Sequence, residues 1–178
     1  MTARALFNEC AVLAGFLLSL AVAFRWQRRW AVTEIILMYA IGLLFELLTC
    51  FLWQYHDIAF VIPTPIDNDI SALFPLGWAG WVILTTTLAE VLWRRWSIAS
   101  WWARHLVLMA LWLAVGDVAE TFYYRRGMIE YLQTPHASLL YAWGQVPGLP
   151  PTLVLLGYAQ LPPLVSQLFR RLEQALRQ

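Results

Sequence analysis

Residues 31–53 form a nearly unbroken apolar stretch with the sequence AVTEIILMYAIGLLFELLTCFLW. A helix needs about 20 predominantly apolar residues to cross the hydrocarbon core of a bilayer, and this stretch meets that requirement. Only two charged side chains, Glu34 and Glu46, interrupt it. A carboxylate inside a membrane span costs roughly 2.5–3.5 kcal/mol on insertion scales, so each of these acids requires a reason.

Four further stretches satisfy the same criterion, at about residues 5–24, 74–93, 106–124 and 152–169. In the last one, two successive prolines at 162 and 163 predict a kink, because proline lacks the amide proton of the helix ladder. The composition agrees with a membrane protein: 61% of the residues are hydrophobic and 13% are charged, whereas soluble domains have roughly 45–50% and 25%. We therefore predict an all-α, polytopic helical membrane protein with five transmembrane helices in a single domain.

The arginines predict the orientation of these spans. Nine of the 12 basic residues, all of them arginines, fall in the first and third connections and in the C-terminal tail. Positive charge is retained on the cytoplasmic side, so we expect the N-terminus outside and the C-terminus inside a bacterial-type inner membrane. Two long outer connections then result, at 54–73 and 127–151. The nine inner arginines are Arg25, Arg28, Arg29, Arg94, Arg95, Arg104, Arg170, Arg171 and Arg177, and the outer ones are Arg4, Arg125 and Arg126.

Most of the 11 tryptophans fall at the proposed ends of the spans. Indole rings favour the headgroup layer of a membrane, because one edge is polar and the rest is apolar. We therefore predict that eight of them act as interfacial anchors, namely Trp26, Trp30, Trp53, Trp78, Trp93, Trp96, Trp101 and Trp102.

The composition and motifs argue against several classes of function. A net charge of +1 provides no basic field for binding nucleic acid. Cys10 and Cys50 are too few for a disulfide framework and lack the CxxC spacing of a thiolate metal site. The sequence has no nucleophile elbow, Gly-rich phosphate loop or HExxH motif, and no Glu-x-x-His pair of the kind found in two-metal helical bundles. We therefore expect no metal, no organic cofactor and no nucleic-acid partner.

The acids within the spans fall into two groups according to their depth in the membrane. With a rise of about 1.5 Å per residue, Glu34 and Glu90 lie near the inner surface, where they can reach water or pair with neighbouring arginines. Glu46, Asp117 and Glu120 lie about 22, 17 and 21 Å from the inner ends of their helices, in the outer half of the hydrocarbon core. The last two share a helix face because they are three residues apart.

These three carboxyl groups converge at one level of the membrane if the second and fourth spans are neighbours. Like charges at low dielectric would then keep at least one carboxyl protonated at neutral pH. Such an acid can donate a proton for addition to, or isomerisation of, an olefin, while an ionised partner stabilises the developing carbocation. His56, just beyond the second span, is a candidate proton shuttle. Alternatively, the acids only fix packing through hydrogen bonds to Thr49, Thr85, Thr86, Thr87 or Tyr123.

The outer connection contains Asp67-Asn68-Asp69, which has the form of a DxD metal-phosphate motif. Asp and Asn are also frequent N-cap residues, and we expect this tripeptide to cap a helix that begins near Ile70. The apolar residues 58–62 of the same connection are expected to lie in the membrane interface.

One region of the chain resembles a known family. Glu46 is followed by Tyr55, by the proline-bearing loop Ile62-Pro-Thr-Pro65, and by Phe74-Pro-Leu-Gly-Trp78 at the start of the next span. This arrangement resembles that of CruF-like carotenoid hydratases and related bacterial membrane proteins, over about a fifth of the chain. The resemblance implies acid-catalysed hydration of an isoprenoid double bond, with Glu46 as a candidate acid.

Three hypotheses for function follow from the sequence. The first is an enzyme that acts on a lipophilic, isoprenoid-type substrate within the bilayer, using Glu46, Asp117, Glu120 and His56. The second is a non-catalytic accessory subunit of a larger membrane complex, which suits the absence of a cofactor motif. The third is a small transporter or proton-linked channel, although the sequence has no inverted repeat. The expected partners are membrane lipid, a lipophilic small molecule and, for the second hypothesis, other membrane subunits.

Overall fold

The computed structural model of the chain describes residues 2–26, 31–50, 53–64 and 69–131, together with residues 172 and 175. Most of the described chain lies in four helices. Each of the first four apolar stretches of the sequence forms one of them, whereas the fifth stretch lies outside the described residues. The helices are α1 (Ala3–Arg25), α2 (Ala31–Thr49), α3 (Phe74–Arg95) and α4 (Trp101–Arg125).

Two of the described helices, α1 and α3, are long and apolar enough to cross a membrane. Trp101–Gly116 of α4 is also apolar, but this described segment is shorter than a membrane span. A signal sequence or the core helix of a soluble protein can satisfy the same criterion of length and composition. Helix length thus agrees with a membrane location and leaves the number of spans open.

Four short strands lie at one end of the helices: β1 (Trp53–Tyr55), β2 (Val61–Ile62), β3 (Ile70–Ser71) and β4 (Ile129–Tyr131). β1 pairs antiparallel with β4, and β2 pairs antiparallel with β3. The prediction of a helical fold is therefore confirmed for most of the described chain, but "all-α" is wrong for this end. Strands of two or three residues carry too little alternation to be recognised in a sequence, and the pairing of β1 with β4 joins distant parts of the chain.

Helix α3 is the central element, because it packs against α1, α2 and α4. Glycines permit these close approaches: a Cβ atom on Gly80 would lie 3.0 Å from the Phe16 Cα atom of α1, and one on Gly116 of α4 would overlap the Trp81 ring. Small residues at helix contacts are typical of membrane helix packing. Within the described chain, the backbones of α2 and α4 make few or no close approaches, because both helices pack mainly against α3, although Met38 of α2 and Trp112 of α4 belong to one buried cluster.

The tryptophans divide into a buried set and an exposed set. Trp53, Trp78 and Trp93 are only 3%, 7% and 7% exposed, so the prediction that they act as headgroup anchors is wrong. Their indole groups pack in the interior, where Trp53 and Trp78 also donate hydrogen bonds. The exposed set agrees with the prediction and consists of Trp26, Trp96, Trp101 and Trp102, whereas Trp30 lies outside the described residues.

α3 begins at Phe74, as the third apolar stretch predicts, and not near Ile70, as the capping hypothesis for residues 67–69 required. Ile70 lies in β3, where it pairs with Ile62, and the helix begins at Phe74. The hydroxyl of Ser71 accepts hydrogen bonds from the amides of Leu73 and Phe74, at 3.0 and 3.4 Å. A helix cap supplied by Asp69 at Ile70 is therefore wrong, because strand pairing holds this segment extended; residues 67 and 68 lie outside the described chain.

The two acids predicted near the inner surface differ from each other. Glu90 pairs with Arg94 at 4.0 Å, as expected for a charge at a helix end. Glu34 is only 2% exposed, so its carboxylate does not reach water; the other alternative, a pair with a neighbouring arginine, stays a prediction. Both cysteines are free, Cys10 on the surface and Cys50 in the interior.

Candidate functional site

Glu46 lies in the last turn of α2 and is completely buried. Three aromatic side chains donate hydrogen bonds to its carboxylate. The Tyr55 hydroxyl lies 2.7 and 2.8 Å from its two oxygens, the Trp78 indole nitrogen lies 2.9 Å from Oε1, and the Trp53 indole nitrogen lies 3.2 Å from Oε2. The carboxylate is thus enclosed by donors, which offsets part of the cost of burying it.

Local structure explains why these three donors meet. Successive side chains of a strand point to opposite faces, so Trp53 and Tyr55 of β1 both point inwards while Gln54 does not. Pairing with β4 holds β1 in place across the end of the helices. The third donor, Trp78, is at the start of the second turn of α3, and the ring of Phe74 stacks on that of Tyr55 at 4.5 Å.

Only one of the three groups that donate to Glu46 can also accept a proton from it. An indole N–H group can only donate, whereas a tyrosine hydroxyl can donate or accept. When Glu46 is ionised, all three groups donate to it. When Glu46 is a carboxylic acid, its proton can be accepted by Tyr55 and by neither Trp53 nor Trp78. Glu46 and Tyr55 therefore form a pair that can exchange a proton.

An apolar cavity of about 210 Å³ lies beside this pair, between α1, α3 and α4. Tyr55 and Trp78 line it, whereas Glu46 itself is not among the lining residues. Its other polar groups are the hydroxyls of Ser19 and Tyr123. Mostly apolar walls with a few polar groups are typical of sites for small lipophilic molecules.

Stacked indole rings form one wall of the cavity. The rings of Trp78 and Trp81 lie 5.3 Å apart at 23°, and those of Trp81 and Trp112 lie 4.1 Å apart at 13°. The Trp81 indole nitrogen donates to the Trp112 carbonyl oxygen at 3.1 Å, which fixes α3 against α4. The first two of these rings face the cavity and give it a flat, rigid aromatic surface.

The predicted site residues of α4 are only partly placed by the structure. Asp117 and Glu120 belong to this helix, but their side chains lie outside the described part of the chain. Their convergence with Glu46 stays a prediction. The hydroxyls of Thr85, Thr86 and Thr87, which were candidate partners of the acids, donate to carbonyl oxygens of their own helix.

His56 follows Tyr55 directly, and its ring lies 3.0 Å from the carboxylate of Glu130 on β4. No hydrogen bond joins it to Glu46 in the described part of the chain. Because side chains alternate along an extended backbone, His56 is directed away from the face that carries Tyr55. A role as proton shuttle stays a prediction that this hydrogen bonding does not support.

Sequence reasoning missed the importance of Glu9 near the start of α1. This side chain is 1% exposed. Its Oε1 atom accepts from the Ser71 hydroxyl at 2.8 Å and from the amides of Ala59 and Phe60 at 3.2 and 3.4 Å. Glu9 therefore fastens the connection that carries β2 and β3 to α1. The available signal was an acid inside the first apolar stretch.

No group of three or more His, Cys, Asp or Glu side chains suited to a metal ion occurs among the described residues. Comparison of the chain with protein families, curated proteins and solved structures found no match.

Proposed function

We propose that this chain is a multi-pass inner-membrane protein that binds a lipophilic, isoprenoid-type molecule in the apolar cavity and performs acid-catalysed chemistry on it. The observation that carries the proposal is the position of Tyr55. Its hydroxyl is hydrogen-bonded to both carboxylate oxygens of Glu46, and its side chain lines the cavity. Tyr55 therefore connects a buried acid with an apolar binding space.

The distribution of side chains supports a membrane location. Large apolar side chains project outwards from the helices, with exposed fractions of 64% for Leu18, 67% for Ile36 and 73% for Val118. Glu9 and Glu46, in contrast, are buried. Water disfavours this arrangement, whereas a bilayer favours apolar groups on the outside and polar groups paired within the protein.

The proposal includes five spans, with the N-terminus outside and the C-terminus inside. Arg25, Arg94, Arg95 and Arg104 lie at the helix ends opposite the strands. Since arginines are retained on the cytoplasmic side, the end that carries the strands, and with it the site, faces the outside. The fifth span, residues 152–169, rests on the sequence alone.

In the proposed reaction Tyr55 is the catalytic residue and Glu46 supplies its proton. The tyrosine hydroxyl gives its proton to one olefinic carbon, whose π electrons form the new C–H bond and leave a carbocation on the other carbon. The proton of the Glu46 carboxyl moves to the tyrosine oxygen, and the resulting carboxylate is stabilised by the N–H groups of Trp53 and Trp78. A carbon next to the carbocation then loses a proton to the tyrosine oxygen, and the tyrosine proton returns to the Glu46 carboxylate. These transfers shift the double bond and complete an isomerisation with no other reactant.

The aromatic wall suits such an intermediate. Trp78 and Trp81 line the cavity and are stacked on each other. A cation over an indole face gains about 2 kcal/mol when both are desolvated, and tryptophan is the best of the aromatic side chains for this interaction. The cavity therefore combines a proton donor with a surface that stabilises positive charge.

The test is deuterium uptake by an isoprenoid olefin, such as farnesol, incubated with the purified protein in D₂O. Reversible protonation of carbon would incorporate deuterium, which mass spectrometry detects. We expect the Tyr55→Phe variant to lose uptake at least 100-fold, since a general acid contributes roughly 10²–10⁴-fold. The matched control is Tyr39→Phe, which also removes a tyrosine hydroxyl; this hydroxyl donates to the Ala72 carbonyl oxygen at 3.2 Å, and Tyr39 is not a lining residue.

Uptake in the wild type and in Tyr39→Phe, with loss in Tyr55→Phe, would support the proposed role of Tyr55. Equal uptake in Tyr55→Phe and the wild type would exclude it. A wild-type protein that promotes no uptake with any isoprenoid tested would remove the support for catalysis and favour the accessory-subunit hypothesis.

A further inference from the structure

Arg126 follows the last residue of α4 and is held between two aromatic rings. Its guanidinium carbon lies 5.0 Å from the ring centre of Phe7 on α1 and 5.4 Å from that of Phe122 on α4. The side chain is exposed, and in the described part of the chain its guanidinium makes no hydrogen bond or ion pair. A guanidinium that lies on aromatic faces keeps its N–H edge free for an anion.

Arg4, which lies beside Arg126, already has two partners. Arg4 pairs with the carboxylate of Asp57 at 3.0 Å and donates to the backbone carbonyl of Arg126. These contacts neutralise Arg4 and hold the end of α4 against the start of α1. Among the described residues, no acid compensates the charge of Arg126 at the same place.

Arg126 stands at the end of the helix faces that line the cavity. On α4, Val115 and Ala119 line the cavity, and Phe122 and Arg126 follow at helical spacing on the same face. On α1, Leu18 lines the cavity, and Phe7 precedes it by 11 residues, close to three helical turns, on the same face. At a rise of about 1.5 Å per residue, Arg126 lies about 10 Å beyond Ala119 along α4.

We infer that Arg126 binds the phosphate monoester headgroup of an isoprenoid lipid whose chain occupies the cavity; this inference rests on the proposed function and names its substrate class. The phosphate group would lie at the outer membrane surface, where the strands are. Arginine suits this group because its planar fork can donate two parallel hydrogen bonds to phosphate oxygens. The chain would extend past Tyr123 and Tyr55 towards the indole wall.

The experiment measures binding of farnesyl monophosphate, farnesol and inorganic phosphate to the purified full chain in a non-ionic detergent. We expect wild-type protein to bind farnesyl monophosphate at least tenfold more tightly than farnesol. Arg126→Gln should reduce that ratio to about one without changing the affinity for farnesol. Arg95→Gln, an exposed arginine at the opposite end, is the matched control and should keep the wild-type ratio.

Two further variants separate this inference from the proposed function. Arg126→Lys keeps the charge without the planar fork and should keep part of the preference, which shows that loss in Arg126→Gln is not a folding defect. Gly15→Phe fills the cavity and should weaken both isoprenoids. If farnesol binds and Gly15→Phe blocks it, but Arg126→Gln leaves the phosphate preference intact, the headgroup inference is wrong and the cavity proposal stands.

Other outcomes are equally decisive. If inorganic phosphate displaces farnesyl monophosphate at equal concentration, the site recognises free phosphate and the assignment to a lipid headgroup is wrong. If neither isoprenoid binds the wild type, both the headgroup inference and the lipophile-binding proposal are wrong.

Discussion

Glu46 was identifiable from the sequence because a charged residue within an apolar stretch of span length is conspicuous. Its partners were not, because two of them, Trp53 and Trp78, were assigned to the headgroup layer on the general preference of tryptophan. The only sequence feature that pointed to Tyr55 was its place in the resemblance to a known family. The alternation of Trp53 and Tyr55 was the available signal, but three residues are too few to indicate a strand.

The hydrogen bonds of Glu46 predict how an isosteric substitution behaves. In Glu46→Gln the amide NH₂ group must face a donor, either the indole N–H of Trp53 or that of Trp78. An unsatisfied buried donor costs about 1–3 kcal/mol, so we expect this variant to lower the midpoint of thermal unfolding in detergent.

The matched control for that substitution is Glu90→Gln. Glu90 makes a long, partly exposed pair with Arg94, and such pairs contribute roughly 0–1 kcal/mol. Its unfolding midpoint should therefore stay close to that of the wild type. Equal midpoints for Glu46→Gln and Glu90→Gln would contradict this prediction, because they would show that the three donors stabilise the fold as well around an amide as around a carboxylate.

At the scale of elements, the helices were predictable and the strands were not. The lengths of the apolar stretches placed α1 to α4 to within a few residues at most of their ends. The apolar stretch from residue 74 also gave the correct start of α3, whereas the helix start expected near Ile70 was wrong because pairing of β2 with β3 holds that residue extended. Side chains that fasten the strands, such as Glu9 and Ser71, act across long sequence separations that local patterns do not record.

The direction of the helices gives a prediction about their two ends. In a Cys10→Ser background, which leaves only the buried Cys50, we introduce either Asp69→Cys or Ala99→Cys. Both positions are exposed, the first at the end with the strands and the second at the opposite end. A membrane-impermeant maleimide applied to intact spheroplasts should label position 69 and not position 99.

Lysis supplies the control for the labelling, since position 99 should react once the membrane is opened. Labelling of position 99 and protection of position 69 in intact spheroplasts would show that the orientation is the opposite of the proposed one. The proposed site would then face the cytoplasm.

At the scale of the whole molecule, the sequence predicted the apolar character but not which helices are neighbours. Convergence of Glu46 with Asp117 and Glu120 required contact between α2 and α4. In the described chain both helices pack mainly against α3, and the hydrogen bonds of Glu46 come from β1 and α3. Helix neighbours depend on the shapes of contact surfaces, such as the fit of Trp81 on Gly116, which an apolar pattern does not specify.

The central claim is that the cavity holds a lipophilic molecule. It is tested most directly by gentle extraction of the full chain from its native membrane, followed by mass spectrometry of all co-purified lipids and proteins. Gly15→Phe is the informative variant, because Gly15 lines the cavity and a Cβ atom there meets nothing within 4 Å. We predict an isoprenoid-type lipophile bound to the wild type and depleted in Gly15→Phe. A fixed set of partner polypeptides, with no lipophile that depends on position 15, would contradict the claim.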